Sequence, residues 1–434
     1  MSALLEFVRF KYTSSWSPHL LLGDAIIFNK KYPKVYFKEF TKKADIEKIQ
    51  IEDNKTYKIL GVRSYGLGVF LNREVFGLTL KMRIYQKAKI NHLFWCKVDT
   101  KNGAFGIITD EFTDGLGSSN MAFTELDTEK IYPDYLQLFF KSKKFNNYMD
   151  GMVVGTTNRK YIKFNDLLND VKIPLPPLEI QKELVQNIKQ YELELEDLKR
   201  NFKTLLDKFH HNIFNTKQAD NKLLNFINFS KLHNWSVQNL SENNFNYNKN
   251  YKVEKIGSFL TRDKTQINID NDIIYTRVTI RTKNQGVKIR DTEIGKNIGT
   301  KKQFVIKKGQ FLLSKIDARN GAFGIATDEL DGAIITADFF AYDIDETKIN
   351  PYFLSLITTT KQFIQFAQNS STGTTNRQRL NEKLFLDVEI PLPTIQEQKE
   401  LVKDLEENIL NQNIILEKKD LALVEFEQEI FNEA

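Results

Sequence analysis

Ile173-Pro-Leu-Pro-Pro-Leu-Glu-Ile-Gln-Lys-Glu-Leu-Val185 decides the fold, because 217 residues later the chain runs Ile390-Pro-Leu-Pro-Thr-Ile-Gln-Glu-Gln-Lys-Glu-Leu-Val402. In each copy prolines hold a short extended segment, and a helical pattern follows. Working outward, Asn102-Gly-Ala-Phe-Gly-Ile107 recurs as Asn320-Gly-Ala-Phe-Gly-Ile325, and nine of the ten residues from 102 to 111 match those from 320 to 329. Gly155-Thr-Thr-Asn-Arg159 recurs as Gly373-Thr-Thr-Asn-Arg377. One unit of half the chain is therefore used twice.

Each half has the same order: a body, a Pro-punctuated strand, then a long helix. The bodies read as short β-rich runs (Tyr57 to Val62, Leu93 to Val98, Ile273 to Thr279, Gln310 to Ile316) separated by Gly and Asn turns. One amphipathic helix is expected to close each body, starting at Pro133 or Pro351, since proline has no N–H to lose at the first helical position. The fold class is α+β.

From Leu178 to Phe209 the apolar residues Leu184, Ile188, Tyr191, Leu195, Leu198, Phe202, Leu205 and Phe209 alternate at spacings of four and three. Such a heptad seam must be buried against another helix. The partner is expected to be the segment from Ile395 to Phe431, opened by a capping box of Thr394 and Glu397. Two registers fit that second helix. One places Asn408, Gln412 and Lys419 in the seam; the other uses Val402, Leu405, Ile409, Leu416, Leu423 and Phe426. Residues 212–250 hold twelve asparagines and little apolar periodicity, which predicts a linker.

Thirty-two helical residues span about 48 Å. Packed antiparallel, two such helices would carry one body at either end and return the chain to its start, a pseudo-two-fold dumbbell. The expected division is a first body over 1–176, a first spacer helix over 177–211, the linker over 212–250, a second body over 251–393 and a second spacer helix over 394–434.

The 434 residues suit two to four domains at about 100–200 residues each. With 41% hydrophobic and 27% charged residues the composition is that of an ordinary globular chain. The single cysteine, Cys96, excludes an intrachain disulfide and cysteine-built metal sites. No apolar run approaches the roughly 18 residues of a membrane helix, and Met1-Ser-Ala-Leu-Leu-Glu6 lacks a basic region ahead of an apolar one. A cytoplasmic location, without membrane contact, is the expectation.

The net charge of +6 hides an uneven distribution. Residues 59–101 carry eight Lys/Arg and two acids, and 277–319 twelve and three. Helix 178–209 has six basic and seven acidic residues, and 396–430 four and ten. Basic bodies on a neutral-to-acidic spacer point to double-stranded DNA, whose phosphates two such bodies can engage while leaving the middle unread.

These motifs resemble the specificity (S) subunit of type I restriction-modification systems, over essentially the full length. The marks are the two Ile-Pro-Leu-Pro segments leading into Gln181-Lys-Glu-Leu-Val185 and Gln398-Lys-Glu-Leu-Val402, the half-chain period, and the Gly-Thr-Thr loop ahead of each. The resemblance implies two target recognition domains of mixed α/β fold, similar to those of adenine-N6 DNA methyltransferases. They would be separated by two long antiparallel helices, a coiled-coil spacer. It further implies a bipartite, asymmetric DNA target, two methyltransferase (M) subunits docked on the spacer, and two restriction (R) subunits. No cofactor is expected on this chain; S-adenosylmethionine, ATP and Mg would be bound by the partner subunits.

The candidate DNA contacts fall into three sets. Thr156, Thr157, Asn158 and Arg159, with Thr374, Thr375, Asn376 and Arg377, combine hydroxyls, an amide and a guanidinium suited to phosphate oxygens or base edges; a helix-terminating loop with capping threonines is the other reading. Paired cations at equivalent places, Arg63 and Arg281, Lys97 and Lys315, Lys101 and Arg319, suit the uniform backbone. Base reading is expected where the halves differ, Ser64 to Phe76 against Thr282 to Ile294, with Arg73, Lys283, Lys288 and Arg290 as candidates. The repeated Asn-Gly-Ala-Phe-Gly reads as scaffold, a tight turn packed on an aromatic.

Catalytic residues are not expected. Asn350-Pro-Tyr-Phe353 lacks the second proline of an amino-methyltransferase motif, and a helix start explains it. The five histidines show no metal spacing, adjacent His210 and His211 lie on different helix faces, and Asp343-Ile-Asp-Glu346 precedes a helix. No nucleophile elbow, P-loop or thiol site is visible. Two rival classes remain open: a stand-alone DNA methyltransferase or nuclease, and a coiled-coil adaptor that does not bind DNA.

Overall fold

A computed structural model of the protein describes residues 27–97, 103–151, 164–214, 248, 250–372 and 379–432. The chain divides into two compact units, residues 1–196 with 413–434, and residues 197–412. The expected linker over 212–250 lies almost wholly outside the described residues.

The first unit contains strands β1 (Lys34–Tyr36), β2 (Thr41–Lys43), β3 (Lys48–Gln50), β4 (Thr56–Val62), β5 (Val69–Phe76), β6 (Ile84–Lys87), β7 (His92–Cys96), β8 (Phe105–Ile107), β9 (Leu116–Gly117) and β10 (Met121–Leu126). Helices α1 (Pro133–Lys141), α2 (Lys143–Gly151) and α3 (Phe164–Asp170), strand β11 (Lys172–Pro174) and long helix α4 (Leu178–Ile213) follow. The strands form a four-stranded sheet in the order β2-β10-β7-β8, a five-stranded sheet β3-β6-β9-β4-β5 and a two-stranded ribbon β1-β11.

The second unit repeats this plan. It contains β12 (Lys252–Lys255), β13 (Leu260–Asp263), β14 (Gln266–Asn268), β15 (Ile274–Ile280), β16 (Val287–Ile294), β17 (Lys302–Val305), β18 (Phe311–Ser314), β19 (Phe323–Ile325), β20 (Ile334–Ile335) and β21 (Phe339–Ile344). Next come α5 (Pro351–Ile357), α6 (Lys361–Asn369), β22 (Ser371–Thr372), β23 (Arg379–Leu380), α7 (Glu382–Leu386), β24 (Glu389–Leu392) and long helix α8 (Ile395–Ile430). Its sheets are β13-β21-β18-β19, β14-β17-β20-β15-β16 and β12-β24, with a small ribbon β22-β23. The α+β class and the duplication both hold.

Ribbons β1-β11 and β12-β24 explain the prolines of the repeated motif. Val35 pairs with Ile173 and Val253 with Pro391 in two-stranded pairings, so each proline-bearing strand has an edge that requires no N–H. The glutamine that follows locks this ribbon to the helix. Gln181 is fully buried; its Oε1 accepts from the Tyr132 N–H at 2.7 Å, and its Nε2 donates to the Lys130 and Pro176 carbonyls at 2.9 and 2.8 Å. Gln398 does the same with the Asn350 N–H at 2.8 Å and the Lys348 and Pro393 carbonyls at 2.9 and 2.8 Å.

Pro133 and Pro351 do open helices, and the Asn350 side chain accepts from the Phe353 N–H at 2.9 Å as an N-cap. A single closing helix in each body is not what forms. Among the described residues three short helices occupy that stretch in each unit, because side-chain bonds offer the backbone an exit from the first one. Ser142 is extended and its hydroxyl accepts from the Lys144 N–H, while the Thr360 hydroxyl accepts from the Phe363 N–H.

In the first unit the start of α4 packs antiparallel on the end of α8. Val185 and Ile188 share a core with Phe426, Ile430 and Phe431, and Glu192 accepts from Lys419 at 3.1 Å. Phe28 and Asn29 close this end, Asn29 N–H donating to the Ile430 carbonyl at 3.2 Å. In the second unit the end of α4 (Phe209, Ile213) packs with the start of α8 (Val402, Leu405), and Asn248 N–H donates to the Ile213 carbonyl at 3.3 Å. The capping box forms, with Thr394 N–H on Glu397 Oε2 at 2.8 Å.

In the middle of α8 the polar register is realised, whereas Val402 of the apolar one is buried at its start. Asn408 is 4% exposed while Leu416 is 42% exposed, and the Gln412 amide donates to Asn408 Oδ1 at 2.7 Å. Pairing satisfies the amide inside the seam and lets an apolar residue face outward.

Two histidines are held neutral by this packing. Burial pushes the imidazole of His92, on β7, below its ordinary range, with Glu125 opposing and Lys89 reinforcing the shift. Burial lowers His210 likewise, with Asp207 opposing. Because unfolded histidine titrates near 6.5, the unfolded chain binds more protons below that pH. Stability is therefore expected to fall as pH drops from 7 to 5. In melting curves across that range, His92→Gln should flatten the pH dependence of the first unit's transition.

Candidate nucleic-acid interface

Both five-stranded sheets end in a hairpin whose outer strand, among the described residues, pairs on one side only, β4-β5 in the first unit and β15-β16 in the second. Thr56 pairs with Phe76 through to Val62 with Val69, and Ile274 pairs with Ile294 through to Ile280 with Val287. The six-residue turns match as well. Tyr65 and Gly66 have φ of 60° and 63°, and Lys283 and Asn284 have 59° and 55°, all left-handed.

The repeated Asn-Gly-Ala-Phe-Gly segment is the platform beneath each turn. Gly66 N–H donates to the Gly103 carbonyl at 2.8 Å; Lys283 and Asn284 N–H groups donate to the Asn320 and Gly321 carbonyls at 2.7 and 2.9 Å. Gly103 and Gly321 have φ of 65° and 77°, and a Cβ on Gly103 would lie 1.7 Å from Asn146 Oδ1. Phe105 stacks on Phe140 with centroids 4.7 Å apart, and Phe323 meets Phe363 edge-on at 5.3 Å. Gly66 itself is seated on α1, where a Cβ would come within 2.2 Å of the Phe140 carbonyl. Both hairpins are thus fixed to their bodies rather than free-standing.

Nine of the eighteen candidate residues are among the described residues, and six of them lie on these hairpins. Arg63 and Arg281 are exposed at the first turn position, their N–H groups on the Gly68 and Gly286 carbonyls at 3.0 and 2.9 Å, and the Arg63 guanidinium lies 5.1 Å from the Phe70 centroid. Arg73, Lys288 and Arg290 are exposed on the edge strands, and Lys283 is exposed in the turn. Arg290 lies 3.4 Å from Asp291, which also holds Arg277 through two bonds of 2.6 and 2.9 Å. Arg319 is half-buried in the turn before β19.

Lys97 and Lys315 occupy equivalent positions, their N–H groups on the Asn120 and Asp338 carbonyls. Lys97 Nζ donates to the Ser119 carbonyl at 2.9 Å. Lys315 Nζ instead sits 4.4 Å from the Phe340 centroid, whose ring also carries Arg262 at 3.7 Å. Burial first, then the Arg262 charge, lowers the Lys315 pKa. Arg379, 3.3 Å from Asp338, adds a third cation. The Asp338 and Glu382 carboxylates offset part of this positive charge.

The remaining candidates, Lys101, Thr156, Thr157, Asn158, Arg159, Thr374, Thr375, Asn376 and Arg377, lie outside the described residues. Arg262 and Arg379 were not singled out from the sequence. Arg262 lies across from Tyr342 on β13, in a place where the first unit has Lys43 across from Thr124. A cation at both positions is the signal that aligning the halves strand by strand would have given.

Among the described residues no group of His, Cys, Asp and Glu could hold a metal ion, and no helix is long and apolar enough to cross a membrane.

A family model for the type I restriction modification DNA specificity domain matches the chain twice, over residues 27–205 and 248–425. Comparison with curated protein sequences gives no match. Among solved structures, the type I restriction-modification S subunit from M. genitalium is 13% identical, covering 94% of this chain and 98% of that one, with a TM-score of 0.49. The HsdS subunit from Thermoanaerobacter tengcongensis is 13% identical, covering 92% and 97%, with a TM-score of 0.33. A chain from a structure of type I R-M complex assembly and conformational transition is 14% identical, covering 92% and 96%, with a TM-score of 0.40. Matched over most of its length, once in each duplicated half, the chain belongs to the type I restriction modification DNA specificity family.

Proposed function

We propose that this protein is the DNA-specificity subunit of a type I restriction-modification complex, reading a bipartite, asymmetric target with its two mixed α/β bodies. The observation that carries the reading is the family match, repeated in both halves, on bodies that each hold a stretch rich in Lys and Arg, residues 59–101 and 277–319. Two non-identical bodies read two different half-sites, and the long helices that join them have no basic excess to read what lies between.

Chemistry belongs to the partners in this reading. Two methyltransferase subunits supply methyl transfer, two restriction subunits supply cleavage, and S-adenosylmethionine, ATP and Mg are bound there. The purified chain alone is expected neither to methylate nor to cut DNA, and to direct methylation of one split sequence once the methyltransferase is added. Cleavage or methyl transfer by the chain alone would favour a stand-alone enzyme. An absence of duplex binding by the assembled complex would favour an adaptor.

In this reading Lys315 and Arg379 contact the DNA backbone from the second body. Lys315→Gln should weaken binding evenly across sequences and reduce the slope of log affinity against log salt by about 0.9. A fluorescence titration of the complex over a salt series measures it.

A further inference from the structure

Each hairpin carries a β-bulge at the same place. In the first unit the pairing passes from Ile59–Arg73 to Leu60–Leu71, leaving Asn72 as the extra residue. In the second it passes from Arg277–Asp291 to Val278–Ile289, leaving Arg290. The extra residue of a bulge is unpaired and its side chain is re-aimed out of the regular alternation. Leu71, Asn72, Arg73 and Glu74 are accordingly all exposed, and the Arg290 side chain is 63% exposed.

The same backbone device thus presents different chemistry in the two bodies. Asparagine offers an adjacent donor and acceptor that match adenine N7 and N6; arginine offers two donors that match guanine N7 and O6. A two-stranded ribbon fits the major groove, where these edges are displayed. Turns bolted to the Asn-Gly-Ala-Phe-Gly platform fix the approach of both ribbons, and Arg73 and Lys288 stand beside the bulges where phosphates would flank the groove.

We propose that Asn72 and Arg290 are base-reading residues, Asn72 selecting adenine in one half-site and Arg290 selecting guanine in the other. This rests on the DNA-specificity reading above. Bulges also protect exposed sheet edges from pairing, and a purely protective role would leave base preference untouched when the side chain changes.

The test selects bound duplexes from a randomised library with the full chain in complex with its methyltransferase. Asn72→Ala should relax one adenine position of a single half-site by roughly ten- to a hundredfold in preference, and Arg290→Ala should relax one guanine position of the other by a similar factor. Arg290→Lys, which keeps a donor to guanine, should retain the guanine preference that Arg290→Ala loses. Unchanged preference at every position in both alanine variants would overturn the proposal, as would loss of guanine preference with lysine in place. Melting curves identify a variant that has not folded, in which case Asn72→Asp replaces Asn72→Ala and should move the preference towards cytosine; an unmoved preference overturns the assignment. If the unmutated complex selects no motif at all, the specificity reading itself fails.

Discussion

Gln398→Ala is expected to destabilise the second unit by about 3 kcal/mol, because three backbone groups, one buried and two part-buried, lose their partner at once. The bond to the Pro393 carbonyl is buried, those to the Asn350 N–H and the Lys348 carbonyl are part-buried, and the glutamine that makes all three is itself fully buried. Folded domains are stable by only about 5–15 kcal/mol, so this is a large fraction of the total. Gln398→Glu should behave similarly, as it keeps the acceptor, loses the two donated bonds and buries a charge. Chemical denaturation followed by tryptophan-independent circular dichroism reads the loss, and Gln181→Ala should reproduce it in the first unit. A shift below 1 kcal/mol in both would mean that the ribbon, loop and helix are held together by other contacts.

Phe426→Ala is expected to cost the first unit about 3–5 kcal/mol, the usual range for emptying a buried phenylalanine site. Phe426 is 2% exposed, and its ring lies 5.9 Å from that of Tyr135 on α1. It belongs to the same core as Val185 and Ile188 of α4, so its loss loosens both the body and the helix pair. The exposed Leu421, 65% accessible on the same helix, is the control, and Leu421→Ala should change stability by less than about 0.5 kcal/mol. Equal effects at 421 and 426 would place the seam on the wrong face.

What could be read in advance follows from how local each feature is. The half-chain repeat, the helix starts at Pro133 and Pro351, the seam of α4 and the Thr394–Glu397 cap are each encoded within a few residues or at one fixed period. All are present. The register of α8 is not local: burying Asn408 and exposing Leu416 depends on the partner helix and on the Gln412 bond. Division of the closing segment into three helices depends on hydroxyls at Ser142 and Thr360 competing with the helical ladder, which apolar periodicity does not register.

The same holds at the site. The stretches Ser64–Phe76 and Thr282–Ile294, which differ between the halves, fall on the two hairpins, but the bulges at Asn72 and Arg290 arise from cross-strand register and have no signature in composition. Arg262 reads as an ordinary strand residue until Phe340 and Lys315 are seen around it. Motif repetition favoured the Asn-Gly-Ala-Phe-Gly segment as scaffold, and the left-handed glycines and stacked phenylalanines give that preference its physical cause.

The most direct test of the central claim, that two unlike bodies of one chain choose the DNA target while partners do the chemistry, is a map of methylated adenines in DNA exposed to the complex of this protein with its methyltransferase. The account predicts a split motif whose two halves differ and are separated by several unspecified base pairs. Methylation of an uninterrupted palindrome, or of adenines without sequence preference, would contradict it.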